Sequence, residues 1–330
     1  MTVENYGNLK LDAGTPDQPR ASLLLLSYNQ GSYIAQAIEG AFAQTYSPLE
    51  IILSDDCSPD DATTAVMERM AKAYQGPHKV VLVRRPHNLG LIAHINELFE
   101  LASADIMVLT AGDDICLPQR VERLVQAFRD DPAAMVVHSD TIAIDAADTP
   151  GAVVRPPVGA EANPATLATA SAIYIGASGA VHREVLRKFG PITQARAFED
   201  LVMGFRAALL DGLRYIPEPL LQYRTDVGIS SDGSRQTNFA QQRLRHTEIM
   251  LATLRQRHAD LLAIGGSHQS AIEPLLHTEI ARLDRIKAFH DRAAGQSGLA
   301  YLRKVIAHRG AGMIEVLRHL RFALRRGPRA

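Results

Sequence analysis

The chain has 330 residues, 46% of them hydrophobic, which is enough for one large α/β domain with an appendage or for two small domains. A net charge of −1 excludes a generally basic, nucleic-acid-binding surface. The two cysteines, Cys57 and Cys116, match no metal-ligand spacing and no disulfide framework, which fits a reducing, cytoplasmic setting.

Residues 1–20 are polar, contain Pro16 and Pro19, lack the apolar centre of a signal peptide, and read as a flexible leader. From Ala21 to Asp140, short apolar runs alternate with segments of helical period. Strands are expected at Ser22–Ser27, Leu49–Ser54, Lys79–Arg84, Asp105–Thr110 and Ala134–Ser139. Helices are expected at Tyr33–Tyr46, Asp61–Tyr74, Leu91–Ala102 and Pro118–Arg129, where apolar residues such as Ile34, Ile38 and Phe42 share one face. This βαβ alternation predicts a mostly parallel sheet flanked by helices.

Between Asp145 and Ala172 the chain is rich in Ala, Pro and Gly and reads as a loop crossing the ligand edge of the sheet. Regular structure resumes with Gly176–Val181, helices at Arg183–Phe189 and Leu201–Leu210, and strand-like pieces at Leu213–Ile216 and Leu220–Arg224. Past Gly233 the pattern is helical and polar. Residues 301–330 carry a net charge of +7, with Ile314, Leu317, Phe322 and Leu324 interleaved, as in a basic amphipathic helix. Such a helix either packs one face on the body with the other solvated or, in an enzyme acting on membrane-borne substrates, is attracted to anionic lipid. No apolar stretch approaches the roughly 18 residues that span a bilayer. The expected division is a leader at 1–20, an α/β domain at 21–232 and a helical basic extension at 233–330.

Parallel sheets bind ligands at the carboxyl ends of their strands. There this chain gathers Ser27-Tyr28-Asn29, Asp55-Asp56-Cys57-Ser58, Asn88-Leu89-Gly90 and Asp113-Asp114. Asp113 and Asp114 read either as a turn leading into the cap of the helix after Pro118 or, since adjacent carboxylates repel unless a cation sits between them, as a site for Mg²⁺ or Mn²⁺ carrying substrate phosphates. The groups around Tyr28 and Asn29 could edge a base, Asp56 could accept from a ring N–H, and Gly90 permits close backbone approach. Neither a Gly-x-Gly-x-x-Gly nor a P-loop pattern is present, and the twelve histidines form no zinc spacing, so His94, His138 and His182 are read as ordinary residues. Glu199-Asp200 precedes a helix, where acids favour the macrodipole; the alternative is that Asp200 faces the site as a general base.

The ordered series Ser27-Tyr28-Asn29, Gln44-Thr45-Tyr46, Glu50-Ile51-Ile52, Ser54 to Asp60, Asn88-Leu89-Gly90, Asn96, Gly112-Asp113-Asp114 with Pro118 and Arg120, and Glu199-Asp200 resembles the family 2 glycosyltransferases of GT-A fold. The likeness covers about Ser22 to Ser231. It implies inverting transfer of a sugar, in the hexosyl- or deoxyhexosyltransferase class, from a UDP-, dTDP- or GDP-linked donor to a saccharide or lipid-linked acceptor. By the resemblance, Ser27, Tyr28, Asn29, Asp56, Ser58, Asn88, Gly90 and Asp113 bind the nucleotide sugar. Asp114, with Asp113, is the Mn²⁺ or Mg²⁺ ligand, and Asp200 is the base. Gly179, Glu199, Tyr223 and Arg224 lie in the donor-sugar or acceptor region.

Three departures stand out. Ala111 replaces a further acid that many members carry, Asp226 replaces a common His, and the Gln-x-x-Arg-Trp motif of processive synthases is missing, as is any Trp. The reading is therefore a single-addition enzyme of cell-surface polysaccharide or lipopolysaccharide synthesis, with no nucleic-acid partner and with peripheral contact at the inner membrane face through the basic C-terminus. The competing readings are a non-catalytic nucleotide-sugar binding module and a sugar nucleotidyltransferase. The latter would want a basic residue in the loop at Ser27–Gly31, which has none.

Overall fold

The structure, a computed structural model, describes residues 1–7, 14–158, 162–225, 227 and 239–293. The expected basic helix at 301–330 and Asp226 lie outside the described residues.

Strands β4 (Ala21–Ser27), β5 (Leu49–Asp55), β6 (Lys79–Arg84) and β7 (Ile106–Ala111) pair in parallel in the order β6-β5-β4-β7. Their runs are apolar on both faces because both faces are covered. Leu23, Leu25, Ile51, Leu53, Leu82 and Val108 pack in one layer, with α1 (Ile34–Phe42), α2 (Asp61–Ala73) and α4 (Arg120–Asp130). Leu24, Ile52, Val83, Met107 and Leu109 pack in the other, with α3 (Leu91–Leu101) and the later helices. Successive strand residues point to opposite faces, so a continuous apolar run feeds two cores.

The second half is mixed. Strand β11 (Gly179–His182) inserts antiparallel between β7 and β9 (Val136–Ile144), and β12 (Leu213–Arg224) lies parallel to β9. The expected strand at Ala134–Ser139 therefore does not neighbour β7. The two pieces expected at Leu213–Ile216 and Leu220–Arg224 are one strand, with register breaks around Pro219, in a stretch where Pro217 and Pro219 have no N–H to donate. A two-residue strand, β8 (Ile115–Cys116), closes this side antiparallel to β12.

Two further expectations need correction. Within the expected leader, β1 (Thr2–Gly7) pairs antiparallel with β6, and β2 (Gly14–Thr15) and β3 (Gln18–Pro19) form a small hairpin. Backbone pairing orders the polar β1, whose side chains are half-buried or exposed. The expected loop after Asp145 contains β10 (Pro150–Val154), paired with β9, and the short helix α5 (Pro164–Leu167), capped by Asn163.

Helix α6 (Arg183–Phe189) and helix α7 (Glu199–Leu209) follow β11. Beyond β12, α8 (Phe239–Ile264) and α9 (Gln269–Ala293) form an antiparallel hairpin; α8 packs on α7 and α9 on α5, and Leu251, Leu254, Leu261, Ile272 and Leu276 join the same core. No described helix is long and apolar enough to cross a membrane.

Candidate active site

The carboxyl ends of β4, β5 and β7 are fastened by backbone bonds from Asp56 N to Ser27 O (3.0 Å) and from Gly112 N to Leu26 O (2.8 Å). Around the first of these the polar side chains are already paired. Asp56, only 2% exposed, accepts from Leu89 N at 2.9 Å and Gly90 N at 3.0 Å, and Asn88 Nδ2 donates to Asp56 O at 3.1 Å. Asp56 thus holds the 88–90 loop against β5, and Gly90 takes φ +80° as its helix starts. Burial still raises its carboxyl above the ordinary range, against those two N–H donors.

Ser58 N donates to Asp55 Oδ2 at 3.0 Å, Ser58 Oγ also donates to Asp55, and Asn29 N donates to Ser58 Oγ at 2.8 Å. Asn29 and Cys57 hold φ of 56° and 59°, conformations that ordinary side chains rarely adopt. Tyr28 remains 38% exposed on this rim. Ser27, Tyr28, Asn29, Asp56, Ser58, Asn88 and Gly90 are therefore brought together, as the sequence predicts.

The acid pair at the end of β7 differs. Asp113 and Asp114 are 8% and 2% exposed. Asp114 Oδ1 accepts from Arg224 N at 2.9 Å, whereas its buried Oδ2 has no hydrogen-bond partner among the described residues. Burial raises both carboxyls, Asp114 well above the ordinary range, with the neighbouring Asp113 charge adding to the effect and Arg120 and Arg224 opposing it. Gln30 on the β4 rim faces Asp113. An unpaired buried carboxylate oxygen beside a second acid is a donor set that suits a hard dication, and Ala111 supplies no third acid.

Two buried arginines hold this loop in place. Arg120 at the start of α4 donates to the carbonyls of Leu109 (2.7 Å) and Ala177 (2.6 Å) and to Cys116 Sγ (3.0 Å), tying β7 to the 3₁₀ turn at Gly176–Ser178. Arg224 donates to Asp113 O at 2.9 Å, Asp145 O at 2.7 Å and Gln36 Oε1 at 3.2 Å, pairs with Asp148 at 2.6 Å and lies 4.4 Å above the Tyr33 ring. Arg224 therefore clamps the acid-pair loop to α1 and the β9–β10 turn. Tyr223 sits half-buried beside it on β12.

The Gly176–Ser178 turn leads to the last pair. A methyl group on Gly176 would lie 2.1 Å from Glu199 Oε1 and 3.5 Å from Asp200 Cβ, so any larger residue there would have to displace the Glu199 carboxylate. Gly179, where β11 begins, would likewise place a Cβ 2.7 Å from the Tyr174 ring. Glu199 and Asp200 are both raised by burial, Glu199 to about 8 with help from the Asp200 charge, and Asp200 to about 6. Leu201 N donates to Asp200 Oδ1 at 2.7 Å, and the positive charge of Arg257 on α8 also favours its ionised form. Of the two, Glu199 is raised the further, so Asp200 is the more readily ionised member of the pair.

Sequence reasoning missed Gln30 and Arg257, and it gave Arg120 no role. Gln30 and Arg257 belong to no motif with chemistry of its own, and Arg120, though part of the resembling series, was given no role there; each acts through contacts with other elements. His94 is buried and bonded to Ser54 Oγ at 2.8 Å, with burial lowering it to about 3. His138 stacks in the core between Tyr174 and Tyr215, at centroid distances of 5.0 and 5.4 Å.

Residues 22–190, just over half of the chain, match the family described as Glycosyl transferase family 2. An uncharacterized glycosyltransferase of Nostoc sp. is 28% identical over 215 residues, covering 62% of this chain and 64% of the relative, so the chain spans just under two thirds of that protein's length. An uncharacterized glycosyltransferase of Haemophilus influenzae is 30% identical over 107 residues, 32% of each chain. Among solved structures, Staphylococcus aureus TarS 1–349 in complex with UDP-GlcNAc superposes with a TM-score of 0.58 at 13% identity, covering 90% of this chain and 82% of that one. The mannosyltransferase PcManGT of Pyrobaculum calidifontis, in complex with GDP-Man and Mn²⁺, gives 0.53 at 19% identity, covering 96% and 84%. The expected GT-A fold stands on these superpositions and on the sheet just described, and the chain belongs to glycosyl transferase family 2.

Proposed function

We propose that the chain is an inverting, metal-dependent, non-processive glycosyltransferase that moves a sugar from a nucleoside-diphosphate donor to an acceptor hydroxyl. The observation that carries this reading is the partnerless, buried Oδ2 of Asp114 at the carboxyl end of β7, in a chain of this family. Asp114 with Asp113 would hold Mn²⁺ or Mg²⁺, and the Mn²⁺ and GDP-Man named with PcManGT support that choice of group. Bound there, the ion supplies electrostatic stabilisation to a departing diphosphate.

The chain's own residues divide the remaining work. Tyr28 and Asn29 edge the base, and the lone pairs of Asp56 not used by Leu89 and Gly90 accept from its ring N–H. Ser58, Asn88 and Gly90 shape the rim that receives the nucleotide. Asp200, ionised near neutral pH, takes the proton of the acceptor hydroxyl as that oxygen attacks the anomeric carbon, and a single displacement inverts that centre. Glu199, Gly179 and Tyr223 line the donor-sugar and acceptor side, and Arg224 keeps the acid pair in register.

The fold similarity to a UDP-GlcNAc complex and a GDP-Man complex supports a nucleotide-sugar donor. We place the reaction in cell-surface polysaccharide or lipopolysaccharide synthesis on the cytoplasmic side of the membrane, approached through the basic residues 301–330. The test is a panel of UDP-, dTDP- and GDP-sugars scored for melting-temperature shift and nucleotide release, with and without Mn²⁺. One donor should stabilise the protein and release nucleotide only with metal. Stabilisation with no nucleotide release from any donor would instead mark a non-catalytic binding module.

A further inference from the structure

The α8–α9 hairpin carries a polar cluster that the proposed transferase chemistry does not use. His258 on α8 faces Glu273 and His277, which lie one turn apart on α9, and one donor atom from each lies within 4.8 Å of the other two. His258 Nε2 stands 3.6 Å and His277 Nε2 3.9 Å from the same oxygen, Glu273 Oε1. Both separations exceed a hydrogen bond, and the buried His258 Nε2 has no hydrogen-bond partner among the described residues. The two rings meet edge-on, with centroids 4.7 Å apart and planes at 68°.

We propose that His258, Glu273 and His277 form a second metal site, for Zn²⁺, that staples α8 to α9. Two imidazoles and one carboxylate suit a borderline transition ion rather than Mg²⁺. Ligand atoms of a tetrahedral zinc stand about 3.3 Å apart, so contractions of a few tenths of an ångström would close the two measured separations onto an ion. The carboxylate is already oriented for this. Gln269 Nε2 donates to Glu273 Oε2 at 3.1 Å, which leaves Oε1 turned toward both imidazoles. His277, 59% exposed on its side chain, opens the fourth position to water.

The hairpin turn is built for this approach: Gly265 and Gly266 take φ of 61° and 90°, which reverses the chain within a few residues. The staple would bear on the active site through the neighbouring residue. Arg257 is fully buried and donates to Leu201 O at 3.0 Å and to the carbonyls of Ala168 (3.1 Å) and Ala170 (2.9 Å), joining α8 to the first turn of α7.

The experiment loads the chelator-treated full chain with Co²⁺ and reads its visible d–d absorption, then measures Zn²⁺ affinity by competition. Imidazole ligation gives bands that an oxygen-only site at Asp113–Asp114 does not match in intensity. The expected result is one such Co²⁺ per chain in wild type and in Asp114→Asn, with the bands lost in His258→Ala and in His277→Ala. Gln269→Leu should weaken Zn²⁺ binding about 10- to 100-fold. Zn²⁺ should raise the melting temperature of wild type and leave that of His277→Ala unchanged; the exposure of His277 keeps this variant folded and decisive even where His258→Ala is not. Wild type without the bands, or bands that survive His277→Ala, would overturn the proposal.

Discussion

Two aspartate pairs end neighbouring parts of one sheet, and they are treated oppositely. Asp55 and Asp56 have donors for their carboxylate oxygens: Ser58 for the first, Leu89 N and Gly90 N for the second. Asp113 and Asp114 are buried as deeply, yet Asp114 Oδ2 has no partner, and the two nearby arginines direct their guanidinium bonds to carbonyls and other side chains instead. A satisfied carboxylate shapes a loop; an unsatisfied one stores a demand for a cation. The Glu199–Asp200 pair stands between the two: Leu201 N donates to Asp200 Oδ1 and Arg257 favours its ionised form, yet burial still pushes both groups upward.

The contrast yields predictions that differ in kind. Asp114→Asn should lower metal-dependent nucleotide release by about 10²- to 10³-fold, the usual cost of losing one electrostatic stabiliser. The same substitution should raise the melting temperature of the metal-free protein by about 2–4 °C, because it replaces a carboxyl whose ionisation burial and the neighbouring Asp113 oppose. A lower melting temperature would show that Asp114 is a structural acid like Asp55. Gly176→Ala places a methyl group against Glu199 Oε1 and should cost up to about 10²-fold in turnover, with donor-induced melting shifts unchanged.

Asp56→Ala should behave in the opposite way. It strips the acceptors from two backbone N–H groups and should cost about 1–3 kcal/mol of stability in a denaturant titration. Donor affinity should fall while turnover at saturating donor holds.

The smallest effect is one of pH. Glu199 is raised from 4.5 to about 8, so the folded chain binds a proton there that the unfolded chain has released. Its stabilising contribution is intact below pH 4.5 and is lost as the pH rises through about 8. Metal-free melting temperatures measured from pH 5 to 9 should fall for this reason, and Glu199→Gln should flatten the slope.

The sequence disclosed the satisfied and unsatisfied pairs alike as acids at strand ends, because a doubly buried parallel strand is a continuous apolar run whose end is conspicuous. Leu49–Asp55 and Ile106–Ala111 lie within a residue of their expected bounds. It could not disclose which pair was satisfied, since, apart from Ser58 for Asp55, the donors come from Leu89, Gly90 and Arg224, many residues away. It also missed the antiparallel insertion of β11, a strand of four small and mixed residues, and the pairing of the polar β1 at the sheet edge. The His258–Glu273–His277 cluster was hidden because its members lie on two helices and meet only across a turn. Only Glu273 and His277 share a helical spacing, which is common on solvated faces.

The most direct test of the central claim is Asp200→Asn assayed twice with the donor found in the screen, once for Mn²⁺-dependent melting shift and once for nucleotide release against pH. Wild-type release should rise with pH around a midpoint near 6, where Asp200 ionises. The variant should keep the donor-induced shift and lose release at every pH, by about 10²- to 10⁴-fold. Release retained with its pH dependence intact would contradict the account and remove Asp200 from the role of base.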